Sequence, residues 1–167
     1  YASPATVSRC GMVYMQPECI GWWSLVLSWG STLQLEPSLV EHIEACFDAL
    51  MDRTLEFVRK KCRQEVATTP MWLVKSTTKM LESLILESQL NNPEVVEDMK
   101  QESIIGKLDM MILYSIIWCV GATTDETGRK SFHQFFRKLM METFKCQRKK
   151  NKIVKFEKSS MVPDRDG

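Results

Sequence analysis

The sequence predicts a mainly α fold, a bundle of helices preceded by one short strand. Three observations predict it. Apolar residues between Trp22 and Leu139 recur at spacings of three and four, the period of helices buried along one face. Prolines, asparagines and glycines fall between these periodic runs, where helices start and stop. Finally, 44% hydrophobic and 26% charged residues over 167 positions suit a globular chain with a core rather than a disordered one.

The elements follow in order. Gly11 to Met15 alternates as a strand and is stopped by Gln16-Pro17. A lone strand needs sheet partners, so these are expected upstream of Tyr1. Trp22 to Leu33 then carries Trp22, Leu25, Val26 and Trp29 on one narrow helical face. Pro37, at a first-turn position, opens a second helix to about Cys62. Its core face is Leu39, Val40, Ile43, Cys46, Phe47, Leu50, Met51, Leu55 and Val58. Arg59, Lys60, Lys61 and Arg63 gather at its end, where cations complement the helix dipole.

Pro70 begins a third helix with Leu73, Val74, Met80, Leu81, Leu84 and Ile85 inward, ended by Asn91-Asn92-Pro93. A fourth, from about Ile104 to Val120, is apolar around most of its circumference and is expected at the centre of the bundle. Gly121 stops it. Thr123 and Glu126 are spaced as a capping box for a fifth helix running to about Phe144, which buries Phe132, Phe135, Phe136 and Leu139. Beyond it, Lys152 to Phe156 reads as a short strand or a linker, and Met161 to Gly167 as a frayed end. There is no internal repeat.

Charge excludes some functions. The net charge is +1, so no global field favours nucleic acid or membrane. The cluster Lys145, Arg148, Lys149, Lys150, Lys152 and Lys155 reads as a solvated helix end or linker, or as a contact for an acidic partner. Six cysteines are spread singly without a C-x-x-C pair, and neither histidine is read as their partner. That pattern predicts reduced thiols in a cytosolic protein and no metal site. The most apolar stretch, Met110 to Ala122, is shorter than the roughly 20 residues of a membrane span and reads as a buried helix. No signal peptide is visible, and Tyr1 falls inside a motif, so a piece of a longer protein is expected.

That motif is Ala2-Ser3-Pro4-Ala5-Thr6-Val7-Ser8-Arg9-Cys10-Gly11-Met12-Val13-Tyr14-Met15. It resembles the end of the large subdomain of the second AAA+ unit in dynein heavy chains, most like the axonemal members. The resemblance continues through Gly21-Trp22-Trp23, Ser28-Trp29, Ile117-Trp118-Cys119-Val120-Gly121 and the run Gly128 to Leu139. It covers nearly the whole chain, and the opening motif is its most specific part. It implies three segments. Residues 1–20 would close the large subdomain, 21–145 would form the helical small (lid) subdomain, and 146–167 would be a basic linker towards the next AAA+ unit.

Arg9 and Arg129 are the candidate site residues. From its context alone Arg9 reads as a surface arginine in an ordinary ion pair. The resemblance instead places an arginine finger in Ser8-Arg9-Cys10-Gly11, facing the main hydrolytic site of the first AAA+ unit. A guanidinium fixed against a transferring phosphoryl group is worth roughly 10³–10⁵ in rate. Arg129, near the start of the fifth helix, stands where small subdomains often carry a nucleotide sensor, and a helix N-terminus favours an anion. It also reads as part of a solvated first turn. His42 and His133 are isolated in sequence and read as surface or boundary residues rather than ligands or bases. The five tryptophans read as core and inter-subdomain packing, and the methionines as gap-fillers.

The sequence has no G-x-x-x-x-G-K-[ST] and no strand ending in paired acids, so the chain is not expected to hydrolyse ATP alone or to bind a cofactor by itself. It likewise lacks G-x-S-x-G and any evident Cys/His nucleophile arrangement. The resemblance implies a part of an ATP- and Mg-dependent, minus-end-directed microtubule motor of the cytoplasm and cytoskeleton, in the axoneme of cilia and flagella. Its implied partners are neighbouring AAA+ units, the dynein intermediate, light intermediate and light chains, and microtubules reached through the parent. The chief alternative is an autonomous helical adaptor without catalysis. A nucleic-acid module built on Lys145 to Lys155 is the weakest reading, because aromatic residues flank that cluster without interleaving it.

Overall fold

The computed structural model describes residues 3–5, 20–90, 92 and 101–160, with side chains up to 143 apart from that of residue 101. The expected strand Gly11 to Met15 lies outside the described residues. Among those described there are five helices and no strand. They are α1 (Trp23–Gly30), α2 (Pro37–Lys61), α3 (Pro70–Glu87), α4 (Gln101–Cys119) and α5 (Glu126–Ser160), with a 3-10 turn at Gly121–Thr123.

The helices begin where the sequence chemistry says they should. Pro37 opens α2, and Arg59, Lys60 and Lys61 fill its last turn. Thr69 caps α3 by accepting from the Trp72 amide, with Pro70 in the first turn. The start of α5 departs from expectation. Its cap is Asp125, whose Oδ1 accepts from the Gly128 amide at 2.7 Å. Thr123 instead donates its hydroxyl to the Val120 carbonyl, so the Thr123–Glu126 capping box does not form. A carboxylate three residues before an open amide is the better acceptor, and the 3-10 turn occupies Thr123 first.

One core joins all five helices. Val26 and Trp29 of α1 share this core with Leu39, Ile43, Phe47, Leu50, Met51 and Val58 of α2. To these are added Leu73, Val74, Leu81 and Ile85 of α3, Ile104, Leu108, Ile112 and Ile116 of α4, and Phe132, Phe136 and Leu139 of α5. Each such fully buried side chain contributes about 1.5–3 kcal/mol. Helix α4 packs on α3 and α2, while α5 packs on α2. There Phe57 stacks on Phe135 at 4.0 Å between ring centroids and 2° between planes.

The loop after α2 is tied to the turn before α5. The Glu65 amide donates to Thr123, and the Asp125 amide to Arg63. Gly121 is needed for this closure: a Cβ there would come within 2.6 Å of the buried Phe132 ring.

Two further expectations change. Helix α5 does not stop near Phe144 but continues to Ser160, so Lys152 to Phe156 is helical and not a strand. No proline or glycine interrupts the chain between Gly128 and Ser160, which leaves nothing to end the helix. Helix α4 is central, yet not buried all round: Met110 is 70% exposed and Trp118 56%. An apolar circumference buries only as much as neighbouring helices cover, and none of the described ones covers this side. By length and composition alone the stretch Glu102–Thr123 would suffice to cross a membrane. Of the tryptophans, Trp29 is in the core, while Trp72 and Trp118 lie at the surface of this domain.

Candidate functional site

The last turns of α4 and the first turns of α5 enclose a groove of about 490 Å³. Its floor and walls are apolar, from Ile117 and Trp118 on α4 and Phe132, Phe136 and Met140 on α5. Phe132 and Phe136, one helical turn apart, stack with centroids 5.3 Å apart. Arg129, His133 and Arg137 also line it, each four residues from the next on α5, so they follow one another along the same stripe. All three are exposed.

Arg129 thus stands beside a sizeable cavity, as a nucleotide-sensing residue would need. The helix end supplies less than the sequence suggested. Asp125 already occupies the anion position there, taking the Gly128 amide and the Thr127 hydroxyl. The Gly128 amide and then Thr127 hold this carboxyl below its usual range, so it stays ionised. Any anion meeting Arg129 must be bound by the guanidinium itself, from the groove side. Arg9 lies outside the described residues.

A second constellation joins α2 to α4. His42 donates from Nε2 to Asp109 Oδ1 at 2.7 Å. The Cys46 sulfur lies 3.7 Å from His42 Nε2 and 3.8 Å from Asp109 Oδ1. Cys46 is buried, while the His42 and Asp109 side chains are about four-fifths covered. The Asp109 hydrogen bond first, then Cys46, push the His42 pKa up to about 10 against the opposing effect of burial. His42 is thus at the boundary, as read from the sequence, but it is not isolated. One half of the signal was there: His42 and Cys46 are one helical turn apart. The other half was not, because Asp109 is 67 positions away.

The family model described as the dynein heavy chain AAA lid domain matches residues 43–164, more than half of the chain. The chain belongs to that family. Among similar proteins, dynein axonemal heavy chain 3 of Mus musculus is 35% identical over 98% of the chain. The Homo sapiens protein of the same name is 36% identical over 98%. Dynein axonemal heavy chain 12 of Rattus norvegicus is 36% identical over 83%. The chain spans only about 4–5% of the length of these relatives. No solved structure matches it.

The lid match opens inside α2 and extends past the end of α5, so it contains the α4–α5 groove and, of the cluster, Cys46 and Asp109, with His42 one residue before its start. Alignment with the axonemal heavy chains also takes in α1.

Proposed function

We propose that this lid works as a relay in the AAA+ ring of an axonemal dynein heavy chain, within the second unit of that ring. The parent would be an ATP-driven, minus-end-directed microtubule motor of cilia and flagella. Its ATP and Mg²⁺ would be held by other parts of the heavy chain, and its partners would be the intermediate, light intermediate and light chains. The observation that carries this reading is the lid match over α2 to α5, together with identity to axonemal heavy chains along nearly the whole chain. Mechanically, a single core spanning all five helices moves as one body, so a change of nucleotide at one end shifts the whole lid against its neighbours.

In this reading Arg9 is an arginine finger acting in trans on the main hydrolytic site of the first unit, and Arg129 senses nucleotide from the groove. The finger is tested in the intact heavy chain. Arg9→Ala should lower ATP turnover by about three orders of magnitude or more while leaving the fold unchanged by circular dichroism. Turnover equal to wild type would overturn the role. Arg129→Ala should weaken nucleotide affinity or coupling at the lid's own site, measured with a fluorescent nucleotide on the same motor.

The exposed apolar side of α4 gives the adaptor reading one observation of its own, since such a surface fits a partner helix. Transcript sequence upstream of Tyr1 separates the two. A phosphate-binding loop followed by an acidic strand supports the motor, and a nearby start codon supports the adaptor.

A further inference from the structure

From the His42–Cys46–Asp109 cluster we infer a zinc-binding site, formed by His42 Nε2, Cys46 Sγ and Asp109 Oδ1, that clasps α2 to α4. It is independent of the motor reading and lies apart from the α4–α5 groove.

The geometry comes first. All three donor atoms lie within 4.8 Å of one another. In a tetrahedral zinc site with ordinary bond lengths, neighbouring donors stand about 3.3–3.6 Å apart. The sulfur already lies 3.7 and 3.8 Å from the other two, close to that spacing. Only the nitrogen–oxygen pair, at 2.7 Å, is too close, because a hydrogen bond now joins it. Opening it by roughly 0.6 Å completes one face of a tetrahedron around the ion. Both side chains of that pair are partly exposed, so small rotations suffice, and the fourth position is left to water.

The scaffold suits such a site. His42 and Cys46 sit one turn apart on α2, the arrangement by which a single helix offers two ligands to one ion. Asp109 comes from α4, and α2 and α4 are held together by the buried Ile43, Phe47, Leu108 and Ile112. The ligand positions are therefore set by a packed interface rather than by a loop.

The donor set selects the metal. A thiolate, an imidazole and a carboxylate together suit Zn²⁺ or its spectroscopic substitute Co²⁺, whereas Mg²⁺ and Ca²⁺ require oxygen ligands throughout. Charge is balanced as well. Binding requires a neutral imidazole and a thiolate, so one proton leaves His42 and one leaves Cys46. An imidazolium, a thiol and a carboxylate sum to zero, as do zinc, a neutral imidazole, a thiolate and a carboxylate. Loading adds no net charge to this largely covered site.

The test uses the full chain, stripped with a chelator and titrated with Co²⁺. The expected result is one equivalent bound, with a sulfur-to-cobalt charge-transfer band and the intense visible bands of a tetrahedral ion, both displaced by Zn²⁺. Cys46→Ser should abolish the charge-transfer band, while Cys62→Ser and Cys119→Ser keep it. Asp109→Asn should weaken binding at least ten- to a hundredfold, the loss that follows even removal of an outer partner of a ligand. The absence of a sulfur band in the wild-type chain would overturn the site, as would its survival in Cys46→Ser. If Cys46→Ser does not fold, Asp109→Asn decides: unchanged affinity there also overturns it.

Discussion

Helix α4 shows two apolar faces that its sequence does not distinguish. One carries Ile104, Leu108, Ile112 and Ile116, four residues apart and all buried against α2 and α3. The other carries Met110, Tyr114, Ile117 and Trp118, all exposed and continuous with the groove that Arg129 lines. Both are rich in large apolar side chains, so hydropathy alone gives them equal weight. Their difference lies in what stands opposite. The first face holds this domain together. The second remains available to surfaces outside it, as the proposed place in a ring requires.

Substitutions separate the two faces most sharply in the core. Leu108→Ala should lower stability by about 2–5 kcal/mol, since a fully buried leucine leaves a cavity between packed helices. Urea unfolding followed by circular dichroism measures it, and a loss below about 1 kcal/mol would mean that the α2–α4 contact is looser than described. Next in size is the turn that leads from α4 into α5. Gly121→Ala should cost about 1–3 kcal/mol, because its Cβ would press on the Phe132 ring at 2.6 Å, itself stacked on Phe136. The double substitution Gly121→Ala with Phe132→Leu should cost less than the two single losses added together, because the smaller side chain removes the clash.

This contrast also explains what the sequence could and could not reveal. The second helix was legible nearly residue by residue, because a one-faced pattern states which side is buried: of its nine expected core positions, only Val40 is merely half-buried. Helix starts at Pro37 and Pro70 were legible because proline and capping chemistry are local. The all-apolar fourth helix hid its open side, since no local signal says which neighbour is absent. The Asp125 cap was missed because two acceptors compete at that turn, and only the backbone path chooses between them. At the candidate sites, Arg129 could be placed near a helix start, but the groove beside it needs α4 and α5 together. The cluster of His42, Cys46 and Asp109 joins two helices far apart in sequence, which periodicity cannot see. Arg9 was legible only through its motif, because it lies outside the described residues.

A smaller effect is expected at the start of α5. Asp125→Ala should lower the melting temperature modestly at neutral pH, because the Gly128 amide and the Thr127 hydroxyl lose their acceptor. The sign with pH follows from a carboxyl held below its usual range. Its contribution is present above the unfolded-state value of about 3.9 and is lost as pH falls through the folded value. The gap between wild type and variant in melting temperature should therefore close on acidification. A gap constant down to pH 2 would show that the carboxylate does not act as the cap.

The smallest effect on folding, and the most telling for function, belongs to the exposed face. Trp118 is 56% exposed and touches Tyr114 with ring centroids 6.0 Å apart. Trp118→Ser should change the stability of the chain by no more than about 0.5 kcal/mol, as for surface positions generally. In the intact heavy chain the same substitution should reduce ATP-driven microtubule gliding if the proposed relay passes through this face. A large loss of stability in the chain alone would make Trp118 part of the core, and the two faces of α4 would then be one. Unchanged stability with unchanged gliding would remove the apolar face from the proposed relay.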